Sequence, residues 1–373
     1  MAGRPLSRRA LLSAALVSAG VSACSRKRAS RYQGWLFVAS GVEKEIAVAD
    51  LASFRRLASI PLPCAPDQLF QAGRRVFALC RDAQGIVEID VENFRFKGRI
   101  ALPGKPVAVR LEAGAKTALV LTDSVHALVR VDLDARRVIG RLPLPAAPAD
   151  FDVNGESAAI TIPAAGSILR ISLPELKPTP TRVGVPCAAV RFRKDGKTIF
   201  AAAPSAREIV AIDARSGMLL TRLPLPLAPS RFCFNGDGGQ MFVTGKGEDA
   251  LAIVSPYQNE VDQTILAGRS PNAMAVSESR NLLFVTNSAS GDLTILDIET
   301  RGVSASIHVG ENPGEVLLTP DGEYALVMDQ RSGNVSVVRI ATVLDRKVKT
   351  KPLFTVFPTA ADARSALIVP FVS

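Results

Sequence analysis

Apolar residues along this chain are gathered into short runs that return at a nearly constant interval. One set reads Ile46–Asp50, Ile86–Asp90, Leu128–Asp132, Ile168–Ser172, Ile209–Asp213, Leu251–Ser255, Leu293–Asp297 and Val335–Arg339. Their ends lie 40, 42, 40, 41, 42, 42 and 42 residues apart. Runs this short, rich in Val and Ile, predict strands rather than helices. A second set precedes it: Leu36–Ala39, Val76–Leu79, Ala118–Leu121, Ala159–Ile162, Ile199–Ala202, Met241–Thr244, Leu283–Thr286 and Ala325–Met328. These runs barely alternate. Alternation is the mark of a sheet with one wet face, so near-continuous apolarity predicts strands covered on both faces. A β-rich unit repeating about every 40 residues is the period of a propeller blade, whose neighbours cover it on either side.

The unit from Asn272 to Pro313 shows the layout. Its pattern predicts strands over Asn272–Val276, Leu282–Thr286, Leu293–Leu296 and Ala305–Val309, followed by a crossing, Gly310–Pro313, to the next blade. Asp297 closes the third strand, where a short carboxylate can accept from the backbone two residues on and hold a turn. Prolines mark the crossings at Pro66, Pro106, Pro148, Pro186, Pro229, Pro271, Pro313 and Pro358. Proline cannot donate to a ladder, so it belongs at strand beginnings and inter-blade turns.

Leu283-Phe284-Val285-Thr286-Asn287, Val335-Ser336-Val337-Val338 and the Gly-x-x-Pro crossings resemble the YVTN family of β-propeller repeats. The likeness is best in residues 230–340 and degraded in residues 149–187. It implies an all-β fold, a single propeller of four-stranded antiparallel blades. WD40 repeats are disfavoured, since no Gly-His or Trp-Asp dipeptide occurs. Quinone-cofactor propellers carry a tryptophan in each blade, and the only tryptophan here is Trp35. Counting the runs gives eight blades. Seven, common in the resembling family, is the alternative if one degenerate unit is miscounted. Trp35–Ala39 reads as a second strand, so the first blade lacks its innermost strand. Ser365–Val369 is expected to supply it and close the ring, leaving no exposed edge.

The N-terminal segment breaks the repeat. Arg8-Arg9 precede an apolar run, Ala10–Val21, too short and too weak for a membrane-spanning helix. The run ends in Val21-Ser22-Ala23-Cys24, which resembles a bacterial lipobox. Residues 7–12 resemble a twin-arginine export motif without its usual Phe and Lys. The expected organisation is a signal peptide with lipobox (1–24), a basic tether (25–34) and the propeller (35–373), with Cys24 lipidated. Ser25 rather than Asp follows the cysteine, which in that lipoprotein class implies the outer membrane of a two-membrane cell. The protein is then exported, periplasmic or on the cell surface.

Charge follows the same division. Of the formal net +10, Arg4, Arg8 and Arg9 lie in the signal and Arg26, Lys27, Arg28 and Arg31 in the tether, leaving +3 for residues 32–373. A basic tether beside a lipid suits anionic headgroups. The mildly basic body gives no reason to expect specific nucleic-acid binding. The run Arg346, Lys347, Lys349 and Lys351 reads as a solvated loop.

Four cysteines remain besides Cys24. Cys64 and Cys80 flank a predicted hairpin and can bridge; Cys187 and Cys233 show no such relation, and four small buried thiols are the alternative. No CxxC, HExxH or GxSxG occurs. The two histidines, His126 and His308, fall in units four apart and so on opposite sides of an eight-bladed ring, which argues against a shared metal. Gly245–Ala250 matches GxGxxA but links two strands and opens no helix, so it reads as a turn. Asn235–Gly239 lacks the carboxylate run of a calcium loop.

The remaining chemistry lies on the innermost strands. Counted from the crossing proline, positions +3 and +5 are mostly apolar, while +2 and +4 have the opposite parity and face the central channel. There the charges out of step with the repeat collect: Arg110, Asp150, Asp152, Arg191, Arg231 and Glu315, with Gln68 beside them. They form either a ligand-binding ring or a self-neutralising network. Three arginines favour an anionic ligand, because guanidinium grips carboxylate or phosphate as a fork. The leading expectation is a monomeric, lipid-anchored, non-catalytic binding or scaffold propeller. It has no catalytic residue, metal or cofactor, and its partner is an envelope protein or a small anion. Two alternatives stay open. A resemblance to propeller lactonases would cast Arg110, Asp152, Arg191 and Glu315 in hydrolytic roles. A resemblance to d1-haem propellers of nitrite-reductase maturation would place haem in the channel, although neither histidine is clearly placed there.

Overall fold

In the computed structural model the apolar runs form the second and third strands of eight four-stranded antiparallel sheets, one per blade. Residues 31–245, 247–344 and 351–371 are described. Cys24 and the tether up to residue 30 lie outside them, as do Lys246 and the basic residues Arg346, Lys347 and Lys349. Blade 1 is made of Gly34–Ser40, Glu45–Asp50 and Arg55–Pro61, and blades 2 to 8 follow in chain order from Gln68 to Pro358. Second strands such as Leu282–Asn287 and Tyr324–Asp329 are buried at every residue. Fourth strands such as Arg55–Pro61 are mostly exposed and end each sheet at the rim.

The core is a series of layers between adjacent blades rather than one central mass. Phe37, Ile46 and Val48 of blade 1 pack with Leu69, Val76 and Val87 of blade 2, and the same scheme continues round the ring. The outermost strand pair carries a register shift in every blade except the fourth. The extra residue increases twist and bends the rim strand. Blade 4 lacks the bulge. Its rim strand, Lys177–Arg182, instead carries Pro178 and Pro180. Prolines are tolerated on an edge strand, so the stretch with the weakest repeat pattern still completes a blade.

The turns after the third strands work as their aspartates suggest. Asp50 accepts from the Ala52 N–H (2.9 Å), Asp132 from those of Asp134 and Ala135, and Asp213 from those of Arg215 and Ser216. The last turn residue adopts a left-handed backbone even where it is not glycine, at Phe54, Phe94, Arg136, Leu176, Asn259 and Arg301. At Phe54, Phe94 and Arg136 two backbone bonds to the preceding aspartate hold the chain there despite the cost of positive φ, whereas Leu176 and Asn259 follow turns headed by Ser172 and Ser255.

Ala363–Pro370 closes the ring. It pairs antiparallel with Gly34–Ser40, Trp35 opposite Val369 and Phe37 opposite Leu367, and becomes the innermost strand of blade 1.

Two crossing prolines are corrected. Pro66, Pro106, Pro148, Pro229, Pro271 and Pro313 are buried between blades, whereas Pro186 and Pro358 are exposed. Cys187 and Ala363 take the buried position in their place, at 1% and 2% exposure. Pro186 is one residue early and Pro358 ends a rim strand, so the crossing needs a small apolar residue more than it needs proline.

Cys64, in the crossing before blade 2, and Cys80, at the end of that blade's second strand, are joined by a disulfide across 16 residues (Cα–Cα 6.0 Å). Closing a loop of that size in the unfolded chain corresponds to about 3 kcal/mol. Cys80→Ala is therefore expected to lower the midpoint of thermal unfolding clearly. A reductant should lower the wild type by a similar amount and leave the variant unchanged, which calorimetry can check.

The central channel as candidate functional site

The inner strands place one side chain in the channel at every second position. Counted from the buried crossing residue, position +2 holds Gln68, Ala108, Asp150, Ala189, Arg231, Ala273, Glu315 and Ser365, one per blade. Two adjoining cavities of about 650 and 550 Å³ fill the channel and share Asp150, Arg231 and Glu315 in their walls.

Four of the predicted charges meet on blades 3, 4 and 5. Arg191 Nη1 lies 2.6 Å from Asp150 Oδ2. Arg110 stands between the two aspartates, 3.8 Å from Asp150 and 3.7 Å from Asp152, with its guanidinium over the Phe151 ring. Burial and the nearby Arg191 press the Arg110 pKa downward, against the pull of Asp150 and Asp152. Arginine nevertheless stays charged. The aspartates have a second task. Asp150 accepts from the Val190 N–H (3.1 Å) and Asp152 from the Phe192 N–H (2.9 Å). Each carboxylate thus ties its own inner strand to that of the next blade.

Glu315 repeats the device on the far side of the ring. It accepts from the Ala366 N–H (2.6 Å), fastening blade 8 to the closing strand, while Ser365 accepts from the Leu69 N–H (3.2 Å) and fastens that strand to blade 2. Burial pushes the Glu315 carboxyl up to about 6, against the Ala366 N–H and the Arg231 charge, which lower it. The sign of the consequence follows from proton linkage. The native state holds a proton on Glu315 that the unfolded chain releases between about pH 4.5 and 6, so this group's contribution to stability falls as pH rises through that window. A rise of this size amounts to roughly 2 kcal/mol. Glu315→Gln, which keeps an acceptor for Ala366, is expected to flatten that slope and to gain stability over wild type above pH 6. Urea unfolding at a series of pH values measures it.

Arg231 stands apart. It is exposed to the channel, its charge acts on Glu315, and among the described residues it has no carboxylate within ion-pair distance. Of the predicted channel charges it is the one whose side chain makes no hydrogen bond or ion pair among the described residues.

The other sequence candidates fall outside the channel. His126 is exposed in a turn and His308 on a rim strand, 3.5 Å from Asp292. Asn235 and Asp237 accept from the Gln240 and Gly239 N–H groups within a turn. Among the described residues no group of three His, Cys, Asp or Glu is placed to hold a metal ion.

Sequence reasoning missed three features. Cys233, a free cysteine at position +4, and Met274 both line the larger cavity. The parity rule applied to every residue type, not only to charges, would have found Cys233. Burial raises its thiol to about 11, so it stays protonated. At the mouth, Arg364 bonds Asp67 (2.7 Å) and Asp362 (2.8 Å). Aligning the last crossing on Ala363 rather than Pro358 would have put Arg364 there.

No family model matches the chain, and no curated protein matches it in sequence. Solved structures match it in shape. The dihydro-heme d1 dehydrogenase NirN, solved in complex with DHE, superposes with a TM-score of 0.75 at 13% identity, over 90% of this chain and 75% of that one. A hydrazine synthase chain from Kuenenia stuttgartiensis gives 0.58 at 17% identity, over 74% of this chain and 96% of that one. A functionally unknown protein from Desulfotomaculum acetoxidans gives 0.60 at 14%, over 75% and 97%. At such identities the likeness establishes the fold alone: the chain is an eight-bladed β-propeller.

Proposed function

We propose that this propeller is a non-catalytic binding protein, exported, lipid-anchored through Cys24 at the cell envelope, and built to take an anionic ligand in its central channel. The observation that carries this reading is Arg231. Arg110 and Arg191 are matched by Asp150 and Asp152, which also tie the blades together. Arg231 faces the cavity without such a partner, two blades from Glu315, whose carboxyl burial raises to about 6. An anion seated there gains a fork of donors without disturbing the network that holds the ring. Pyrophosphate and citrate serve as probes. Each is expected to raise the unfolding midpoint, less so at high salt, and Arg231→Ala is expected to remove the effect. A shift of equal size in Arg231→Ala would contradict the reading.

A second reading rests on the NirN likeness, which spans nine tenths of the chain. Haem carboxylates suit the channel arginines. The iron finds no imidazole there among the described residues, and the sulfurs on the cavity wall belong to a protonated Cys233 and to Met274. The channel thus fits a tetrapyrrole held by its carboxylates better than one poised for chemistry. Added haem that leaves no visible absorbance on the protein after gel filtration would exclude it.

A further inference from the structure

The chain's single tryptophan sits in a cavity of its own, away from the channel site. Trp35, Val91, Val369 and Phe371 form the apolar part of an open hollow of about 790 Å³, with Arg74 and Glu92 at its rim. Trp35 packs against Phe371 (4.7 Å between ring centroids) and edge-on against Phe94 (5.3 Å). All of these residues lie at one end of the strands. Trp35 is the second residue of Gly34–Ser40, Phe371 follows the end of Ala363–Pro370, Arg74 lies in the turn between the first two strands of blade 2, and Val91 begins the turn after its third. The channel mouth with Gln68 and Glu315 lies at the other end, where inner strands begin.

The N-terminal connection leaves from the same end as the hollow. Gly34 pairs with Pro370, and the ordered strand begins there. Cys24 lies eight residues before Tyr32, a reach of at most ~28 Å for extended chain. A lipid at Cys24 therefore brings this end of the disc, not the channel mouth, toward a bilayer. The hollow has the chemistry of an interfacial contact. Tryptophan settles at the boundary between headgroups and acyl chains, and phenylalanine belongs to the apolar face that an interfacial element buries there. Arg74 is exposed, with no ion pair among the described residues. An exposed arginine at the rim suits a lipid phosphate.

We infer that the Trp35–Phe371 hollow docks on the membrane surface, taking phospholipid acyl chain against Trp35 and Phe371 and phosphate at Arg74. This holds the channel mouth away from the bilayer, open to the aqueous compartment. The inference rests on the lipid-anchor reading for the direction of approach, and the two can fail separately.

Trp35 makes the test simple, because all tryptophan emission comes from this site. The mature protein, extracted from membranes, is reconstituted into vesicles of phosphatidylcholine and phosphatidylglycerol whose acyl chains are brominated. Trp35 is expected to lose most of its emission and to be shielded from aqueous acrylamide, and Arg74→Glu to restore both emission and acrylamide access. Full emission from protein that floats with the vesicles would overturn the docking, since a tether alone leaves the disc free. The mass of the N-terminal peptide decides the anchor independently. An unmodified Cys24 would overturn the anchor, and quenching on added vesicles would then decide the docking through the face's own affinity.

Discussion

A chain that stops at Asp362 is expected to lose cooperative folding altogether. The deleted segment begins with Ala363–Pro370, the innermost strand of blade 1, paired along the whole of Gly34–Ser40. Its loss uncovers one edge of that strand and strips Ala363, Ala366 and Val369 from the layers on either side. It also removes the backbone N–H that Glu315 accepts and the hydroxyl that Leu69 bonds, so blades 8 and 2 lose their link through the channel wall. A ring has no edges only while it is closed. Reopening it exposes an apolar strand edge of the kind that templates aggregation. Domains are usually stable by only roughly 5–15 kcal/mol, so the loss of a whole strand with its buried side chains is a large fraction of what holds the fold. Circular dichroism and gel filtration of the truncated chain test this. Aggregated or non-cooperative material is expected. A sigmoidal melt within a few degrees of the full chain would show that blade 1 closes the ring by other means.

Asp150→Ala is expected to produce the largest loss of any single channel substitution, on the order of 3 kcal/mol. The carboxylate serves Arg191 at 2.6 Å, the Val190 N–H at 3.1 Å and Arg110 at 3.8 Å. Without it Arg191 loses its carboxylate and stands near Arg110, which keeps only Asp152 at 3.7 Å, in a partly buried wall. The size of the effect comes from the cations left behind, not from the net worth of the ion pair. Two comparisons separate these. Asp150→Asn keeps an acceptor for Val190 and is expected to lose less. Asp150→Ala combined with Arg191→Ala is expected to recover part of the loss, since neighbours in one network are not additive. Chemical denaturation of the three variants gives the values. A loss below about half a kcal/mol for Asp150→Ala, within the range of ordinary surface changes, would show that the wall is wet enough for the charges to be solvated.

The architecture was written in the sequence because each blade imposes the same demand on the same positions. Strands covered on both faces must be apolar throughout, and the turn after each third strand favours a short acceptor. The runs ending at Asp50, Asp90, Asp132, Asp213 and Asp297 meet both conditions, and even blade 4 keeps the period at Ser172. The closing strand was legible by elimination, since Trp35 begins a strand of the second kind with none before it.

What the sequence hid is where different residues satisfy one demand. The buried crossing accepts Cys187 and Ala363 as well as proline, so counting prolines misplaced two crossings by position. The channel charges were found by parity, but parity could not divide them. Asp150, Asp152 and Glu315 look equally poised for a ligand until their backbone partners on the next blade are seen. Those bonds join residues about 40 or 50 positions apart and have no local signature. The structure therefore shifts most of the ring's charge to the account of assembly and isolates Arg231.

That isolation is the centre of the functional reading, and locating an anion tests it most directly. Crystals of the protein soaked in bromide or selenate, examined for anomalous scattering, are expected to show a peak inside the channel within hydrogen-bonding distance of Arg231, absent in Arg231→Ala. Anions found only on the outer surface, with Arg231 turned into an ion pair with Glu315, would contradict it and leave the channel as a self-neutralising wall.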